Sequence, residues 1–113
     1  MTTTLALTVG DPTGIGPEIT VKTLNRLDDF HNTRFIVVGS RAALERAAEQ
    51  LNLPLPEGKQ VSYWPIEAHL PGAVAYQSIE EAVKLIVNKE ADALVTGPIS
   101  KENLRRADYQ AHG

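Results

Sequence analysis

Leu5-Ala6-Leu7-Thr8-Val9 runs directly into Gly10-Asp11-Pro12-Thr13-Gly14-Ile15-Gly16-Pro17-Glu18, and the reading of this junction decides the fold. The first five residues are a short, continuous apolar run, the mark of a strand buried on both faces. Glycine and proline then end it abruptly. Glu18 to Leu27 reads as a helix, with Pro17 at its first position, where a missing N–H costs nothing. Glu18 places negative charge in the first turn, which the helix dipole favours. Val21, Leu24 and Leu27 share one face.

The same alternation continues along the chain. Arg34 to Gly39 (RFIVVG) reads as a second strand, and Ser40 is suited to cap a helix over Arg41 to Leu51 whose inward face is Leu44, Ala47, Ala48 and Leu51. Gln60 to Trp64 reads as a short strand. Ala73 to Lys89 is a helix in which Ala75, Ile79, Ala82, Val83 and Ile86 recur at the spacing of a buried face. Ala91 to Thr96 (ADALVT) is another buried strand, followed by Gly97-Pro98 and a helix over Ser100 to Ala107. Apolar strands alternating with amphipathic helices predict an α/β fold: a mostly parallel sheet with helices on both faces. No repeat or linker interrupts residues 1–113, so they read as a single α/β unit without an internal boundary.

Composition narrows the class. The 113 residues are 42% hydrophobic and 22% charged, enough to bury a core. A net charge of −3 with eleven scattered Lys and Arg residues leaves no electrostatic footprint for nucleic acid or an anionic membrane. The absence of cysteine excludes disulfides, thiolate nucleophiles and Cys-ligated zinc. Met1 to Val9 lacks the features of a signal peptide, and no apolar run approaches the roughly 20 residues of a membrane helix. A cytoplasmic enzyme or binding domain is the expectation.

In open α/β sheets, ligands bind beyond the carboxyl ends of the strands. Two Gly- and Pro-bearing loops follow strand ends here, Gly10–Glu18 and Thr96–Lys101, and a parallel sheet would put both on one rim. The first is neither G-x-G-x-x-G nor a Walker loop, yet closely spaced glycines let backbone N–H groups approach an anion at a helix N-terminus. Asp11 suits orienting the loop or accepting a hydrogen bond. A tight turn without a ligand fits the same spacing. Lys101 in the second loop suits a carboxylate, a phosphate or proton transfer, and a solvated lysine after an N-capping Ser100 fits equally. His31 and His69 read as incidental loop residues; His112 lies near the chain end. None of the three histidines forms a metal-ligand pattern. Tyr63 and Trp64 read as packing residues.

Taken together, TVGDPTGIGPEI, FIVVGS, PGAVAYQSIEEAV and ADALVTGPISKENL resemble, in order and spacing, the 4-hydroxythreonine-4-phosphate dehydrogenase family of pyridoxal 5′-phosphate biosynthesis. The GDPTGIGPE loop is also similar to the GDGIGPE-type opening of isopropylmalate and isocitrate dehydrogenases, which share the fold; the TGPIxK segment distinguishes the two. The resemblance implies an NAD- or NADP-dependent oxidation of the C3 hydroxyl of 4-phosphohydroxy-L-threonine. Decarboxylation of the β-keto acid then gives 3-amino-2-oxopropyl phosphate. It also implies a homodimer, and a divalent metal (Zn, Mg or Co) acting as Lewis acid. Carried onto this sequence, Asp11 and Lys101 are the catalytic candidates. Gly10, Gly14, Ile15 and Gly16 are cofactor-binding candidates, and Thr96, Gly97 and His112 face substrate.

The departures are concrete. Family members run to about twice an average domain and carry a Gly-His-Thr motif soon after TGPxxK. Gly113 corresponds to its first residue, so the motif's histidine falls one position beyond Gly113 and His112 is its neighbour, not its equivalent. The family's metal-binding histidines lie further downstream and have no counterpart, so the metal is expected on residues beyond this chain. The expectation is an N-terminal portion of a larger dehydrogenase, inactive by itself. Two other readings stay open. One is a related acid dehydrogenase acting on isopropylmalate or a phosphorylated sugar acid; the other is a non-catalytic binding or dimerisation module.

Overall fold

The computed structural model describes residues 2–68, 70–97 and 105. Four parallel strands, β1 (Thr3–Thr8), β2 (Thr33–Gly39), β3 (Val61–Pro65) and β4 (Ala93–Thr96), form one sheet in the order β3-β2-β1-β4. Three helices connect them: α1 (Gly16–Leu24), α2 (Arg41–Leu51) and α3 (Pro71–Val87). β1 is central because its residues are apolar on both faces. Leu7 and Val9 pack with Val21 and Leu24 of α1 and Leu44 of α2, whereas Ala6 and Val38 pack with Val74, Ala82 and Leu85 of α3. The strand period of two assigns alternate residues to the two layers. The chain runs outward from β1 to β3 with its helices on one face, then returns past β1 to β4 with α3 on the other, as a constant crossover handedness requires.

The local signals hold at α2. Ser40 is extended and its Oγ accepts from the Ala43 N–H at 3.1 Å. Asn52 closes the helix in the left-handed region, with the Leu53 N–H on the Ala48 carbonyl. Three expectations are corrected. The strand expected to be buried over Ala91 to Thr96 spans Ala93–Thr96 and is mostly exposed, because it is an edge strand among the described residues. α1 ends at Leu24, not Leu27, because the Asn25 side chain bonds the carbonyls of Val21 and Pro54. Leu27 instead opens a 3₁₀ turn, Leu27–Asp29, and packs against the core from there. The buried face of α3 is also rotated from the expected one. Val74, Ser78 and Leu85 are buried with Ala75 and Ala82, while Val83 is 45% exposed. Small residues (Gly72, Ala75, Ser78, Ala82) face the sheet and permit close approach, and the Ser78 hydroxyl is satisfied by the Val74 carbonyl at 2.6 Å. Of the helix expected over Ser100 to Ala107, Arg105 is described and is helical; the rest lies outside the described residues.

Candidate functional site

A parallel sheet gathers all strand carboxyl ends on one rim. Strand order reverses between β1 and β4, the point at which neighbouring loops part and leave a crevice. Both candidate loops leave the sheet there. In register, Thr8 lies beside Thr96. One residue on, the Gly97 N–H reaches the Thr8 carbonyl at 2.8 Å and the Thr8 Oγ1 at 3.2 Å. The second loop is thus seated directly on the end of β1. A Cβ on Gly97 would stand 2.4 Å from the Val9 carbonyl oxygen and 2.6 Å from that of Thr8, so only glycine fits. On the other side, a Cβ on Gly39 would stand 2.7 Å from Val9 Cβ. Fully buried Val9 is wedged between these two close approaches.

The first loop turns at Gly10, whose φ of 86° suits glycine. Asp11 is 2% exposed, and its Oδ1 accepts from the Thr13 N–H at 3.0 Å and the Thr13 hydroxyl at 2.8 Å. The Asp11 carbonyl accepts from the Gly14 N–H at 3.1 Å, closing a tight turn. These bonds tie Asp11 to the loop in which it sits. Gly14 differs from Gly39 and Gly97: an added Cβ would meet nothing closer than 3.6 Å. Ile15 follows, 62% exposed, and α1 begins at buried Gly16 with no side chain capping its first turn.

The rim holds more than the two loops. A cleft of about 340 Å³ is lined by Pro12 and Thr13 after β1, Ser40 and Arg41 after β2, Arg46 of α2, and Glu67 after β3. Sequence reading missed it, because three separate strand ends contribute its walls. Arg41 is anchored rather than free. Its guanidinium bonds Glu57 and Glu45, which hold its pKa above the ordinary value, and lies 4.3 Å from the centre of the Tyr63 ring. The Tyr63 hydroxyl donates to the Pro56 carbonyl, and burial pushes its pKa up to about 12. Tyr63 is therefore a packing residue as expected, whereas Trp64 is 43% exposed on the edge strand.

Thr96, Gly97, Gly10, Asp11, Gly14, Ile15 and Gly16 are all on this rim; Lys101 and His112 lie outside the described residues, as do His69 and Tyr109. His31 precedes β2 on the opposite rim. Among the described residues no three His, Asp or Glu side chains gather as a metal-ligand set, so these residues do not by themselves fit a divalent metal. No helix among them is long and apolar enough to cross a membrane.

Comparison with known proteins agrees with this arrangement. A 4-hydroxythreonine-4-phosphate dehydrogenase of Geobacter metallireducens is 35% identical, over 96% of this chain and 39% of its own length. A D-threonate 4-phosphate dehydrogenase of Salmonella typhimurium is 30% identical, over 99% of this chain and 42% of its own. The crystal structure of a 4-hydroxythreonine-4-phosphate dehydrogenase from Burkholderia phymatum superposes with a TM-score of 0.81 at 27% identity, over 93% of this chain and 39% of that one. The chain thus spans about two fifths of the length of these relatives. The family described as pyridoxal phosphate biosynthetic protein PdxA matches residues 30–113, and this chain belongs to that family.

Proposed function

We propose that residues 1–113 are the N-terminal portion of an NAD- or NADP-dependent dehydrogenase. It oxidises the C3 hydroxyl of 4-phosphohydroxy-L-threonine, with decarboxylation to 3-amino-2-oxopropyl phosphate. The observation that carries the reading is the junction of Gly97 with Thr8, which brings both family loops to the switch point of the sheet. In this reading Gly10, Gly14 and Gly16 let backbone N–H groups approach the cofactor, and Ile15 offers it an apolar contact. Asp11 fixes the loop through Thr13. Thr96 and Gly97 line the substrate side, with His112 beyond them, and Lys101 holds an anionic group or moves a proton. The hydride chemistry is the cofactor's. A divalent metal, a homodimer and a cytoplasmic location belong to the same reading, with the metal held by residues outside this chain.

Gly14 supplies the test. Nothing in the fold requires glycine there, since a Cβ would sit in ordinary contact. Gly14→Ala is expected to leave the melting curve of the chain unchanged and to weaken NAD⁺-induced NMR shifts at Gly10 and Gly16. Shifts confined to the opposite rim around His31, or undiminished by the substitution, refute the cofactor role. In a complete family member, replacing the lysine equivalent to Lys101 by alanine should lower kcat/KM; an unchanged value removes that residue from the site.

A second reading rests on the D-threonate 4-phosphate dehydrogenases among the relatives. The two substrates share a phosphate, a carboxylate and the C3 hydroxyl, and differ in an amine or a hydroxyl at C2. Paired kcat/KM measurements in a complete family member separate them.

A further inference from the structure

The cleft at the carboxyl ends of β1, β2 and β3 carries charges of both signs, and they are not equivalent. Arg41 is already engaged, with its guanidinium on Glu45 and Glu57 and beside the Tyr63 ring. Arg46 and Glu67 also line the cleft, one from α2 and the other from the segment after β3. Among the described residues neither forms an ion pair, with each other or with any third group. A cation and a carboxylate thus share one cavity from different elements without closing onto each other. The rest of the lining is largely apolar: Ile66 and Val74 belong to the buried layer under α3, and Pro71 adjoins them. The volume of about 340 Å³ falls within the ~300–1,000 Å³ of small-molecule sites.

We propose that this cleft binds a free α-amino acid, its carboxylate on Arg46, its ammonium on Glu67 and a short apolar side chain against Ile66, Pro71 and Val74. The signs of the two unpaired charges decide the ligand class. A simple anion drawn to Arg46 meets repulsion from Glu67, and a simple cation the reverse, whereas a zwitterion satisfies both. The planar fork of a guanidinium matches a carboxylate, and the Glu67 carboxylate accepts from an ammonium. The cleft lies on the β2–β3 side of β1, and the switch-point crevice on the β4 side. Pro12 and Thr13 form one of its walls, so an occupant touches the first loop from the side opposite that crevice. The amino-acid site stands apart from the dehydrogenase reading and does not depend on it.

Titration of the 113-residue chain with L-valine, followed by amide NMR, tests the site. Saturable shifts are expected at Thr13, Arg41, Ala42 and residues 66–68, with a dissociation constant on the order of 1–10 mM. Two analogues each remove one charge: N-acetyl-L-valine lacks the ammonium and L-valinamide the carboxylate. Each should bind about tenfold more weakly, the loss that follows from removing a hydrogen-bonded charged group. Arg46→Gln should weaken L-valine by about tenfold and leave L-valinamide unchanged. Glu67→Gln should weaken L-valine to the same extent and leave N-acetyl-L-valine unchanged. Both positions are exposed and unpaired among the described residues, so neither substitution should move the melting curve. The analogue series uses the unaltered chain and decides the matter even where a variant fails to fold. Absence of saturable shifts, equal affinity for all three ligands, or shifts centred on the opposite rim around His31 overturn the proposal. Tighter binding of N-acetyl-L-valine than of L-valine would reveal a plain anion site and overturns it as well. No dinucleotide or phosphorylated substrate enters the readout, so failure of the dehydrogenase reading would leave this result standing.

Discussion

Replacing Gly97 by alanine probes the contact on which the site depends. The added Cβ would lie 2.4 Å from the Val9 carbonyl oxygen, 2.6 Å from the Thr8 carbonyl oxygen and 2.7 Å from the Val9 carbonyl carbon. All three are backbone atoms of the central strand, so no side chain can rotate away and the β4 loop must lift. Overpacking of this kind costs about 1–3 kcal/mol. Lifting the loop also breaks the bond from the Gly97 N–H to Thr8, worth about 1 kcal/mol. The expected loss of about 2–4 kcal/mol is a large part of the ~5–15 kcal/mol of a typical domain. It should lower the melting temperature by about 10 °C or more. Urea unfolding followed by far-ultraviolet circular dichroism measures it directly, with Gly14→Ala as the control expected within about 0.5 kcal/mol. A Gly97→Ala loss as small as the control's would mean that the second loop does not rest on β1, and the rim argument would fall.

Other substitutions test the supporting contacts. Ser40→Ala removes the acceptor for the Ala43 N–H and should cost about 1 kcal/mol by urea titration, whereas Ser40→Gly costs only a few tenths. Asp11→Ala removes the acceptor for the Thr13 N–H and hydroxyl and should cost about 1 kcal/mol, with Asp11→Asn milder because one oxygen remains; equal losses would show that the acceptor is unimportant. Tyr63 titrates near 12 in the folded chain against about 10 unfolded, so the unfolded chain releases its proton first. Its stabilising contribution is complete below pH ~10 and is lost as pH rises towards ~12. Denaturation curves across that window should lose this slope in Tyr63→Phe.

The order of elements was legible because two patterns coincided: apolar runs too short for helices, and glycine or proline at each strand exit. The α2 boundaries followed from chemistry local to Ser40 and Leu51, and the structure reproduces both. The face of α3 was not legible. Its periodicity allowed several adjacent stripes, and the choice was made by contact with the sheet, which favours Ser78 and Ala82 over the larger Ile79 and Val83. The end of α1 was set by Asn25 reaching Pro54, a partner 29 positions away that no local signal reveals. The cleft beside Arg41 was invisible for the same reason, since loops after β1, β2 and β3 meet there only once the sheet exists.

The glycines show why a motif can identify a family without assigning a role to each of its residues. Gly10 is required by its backbone angle. Gly39 and Gly97 are required because neighbouring chain passes too close to the end of β1 for a side chain. In a sequence all three look like the punctuation of a ligand loop, yet the fold alone accounts for them. Gly14 is the exception, with space for a methyl group and no backbone demand. Folding leaves that position open to other residues, so its glycine is best explained by what must approach the loop from outside. Binding measurements on Gly14→Ala therefore carry more weight for function than any substitution at the glycines the fold already explains.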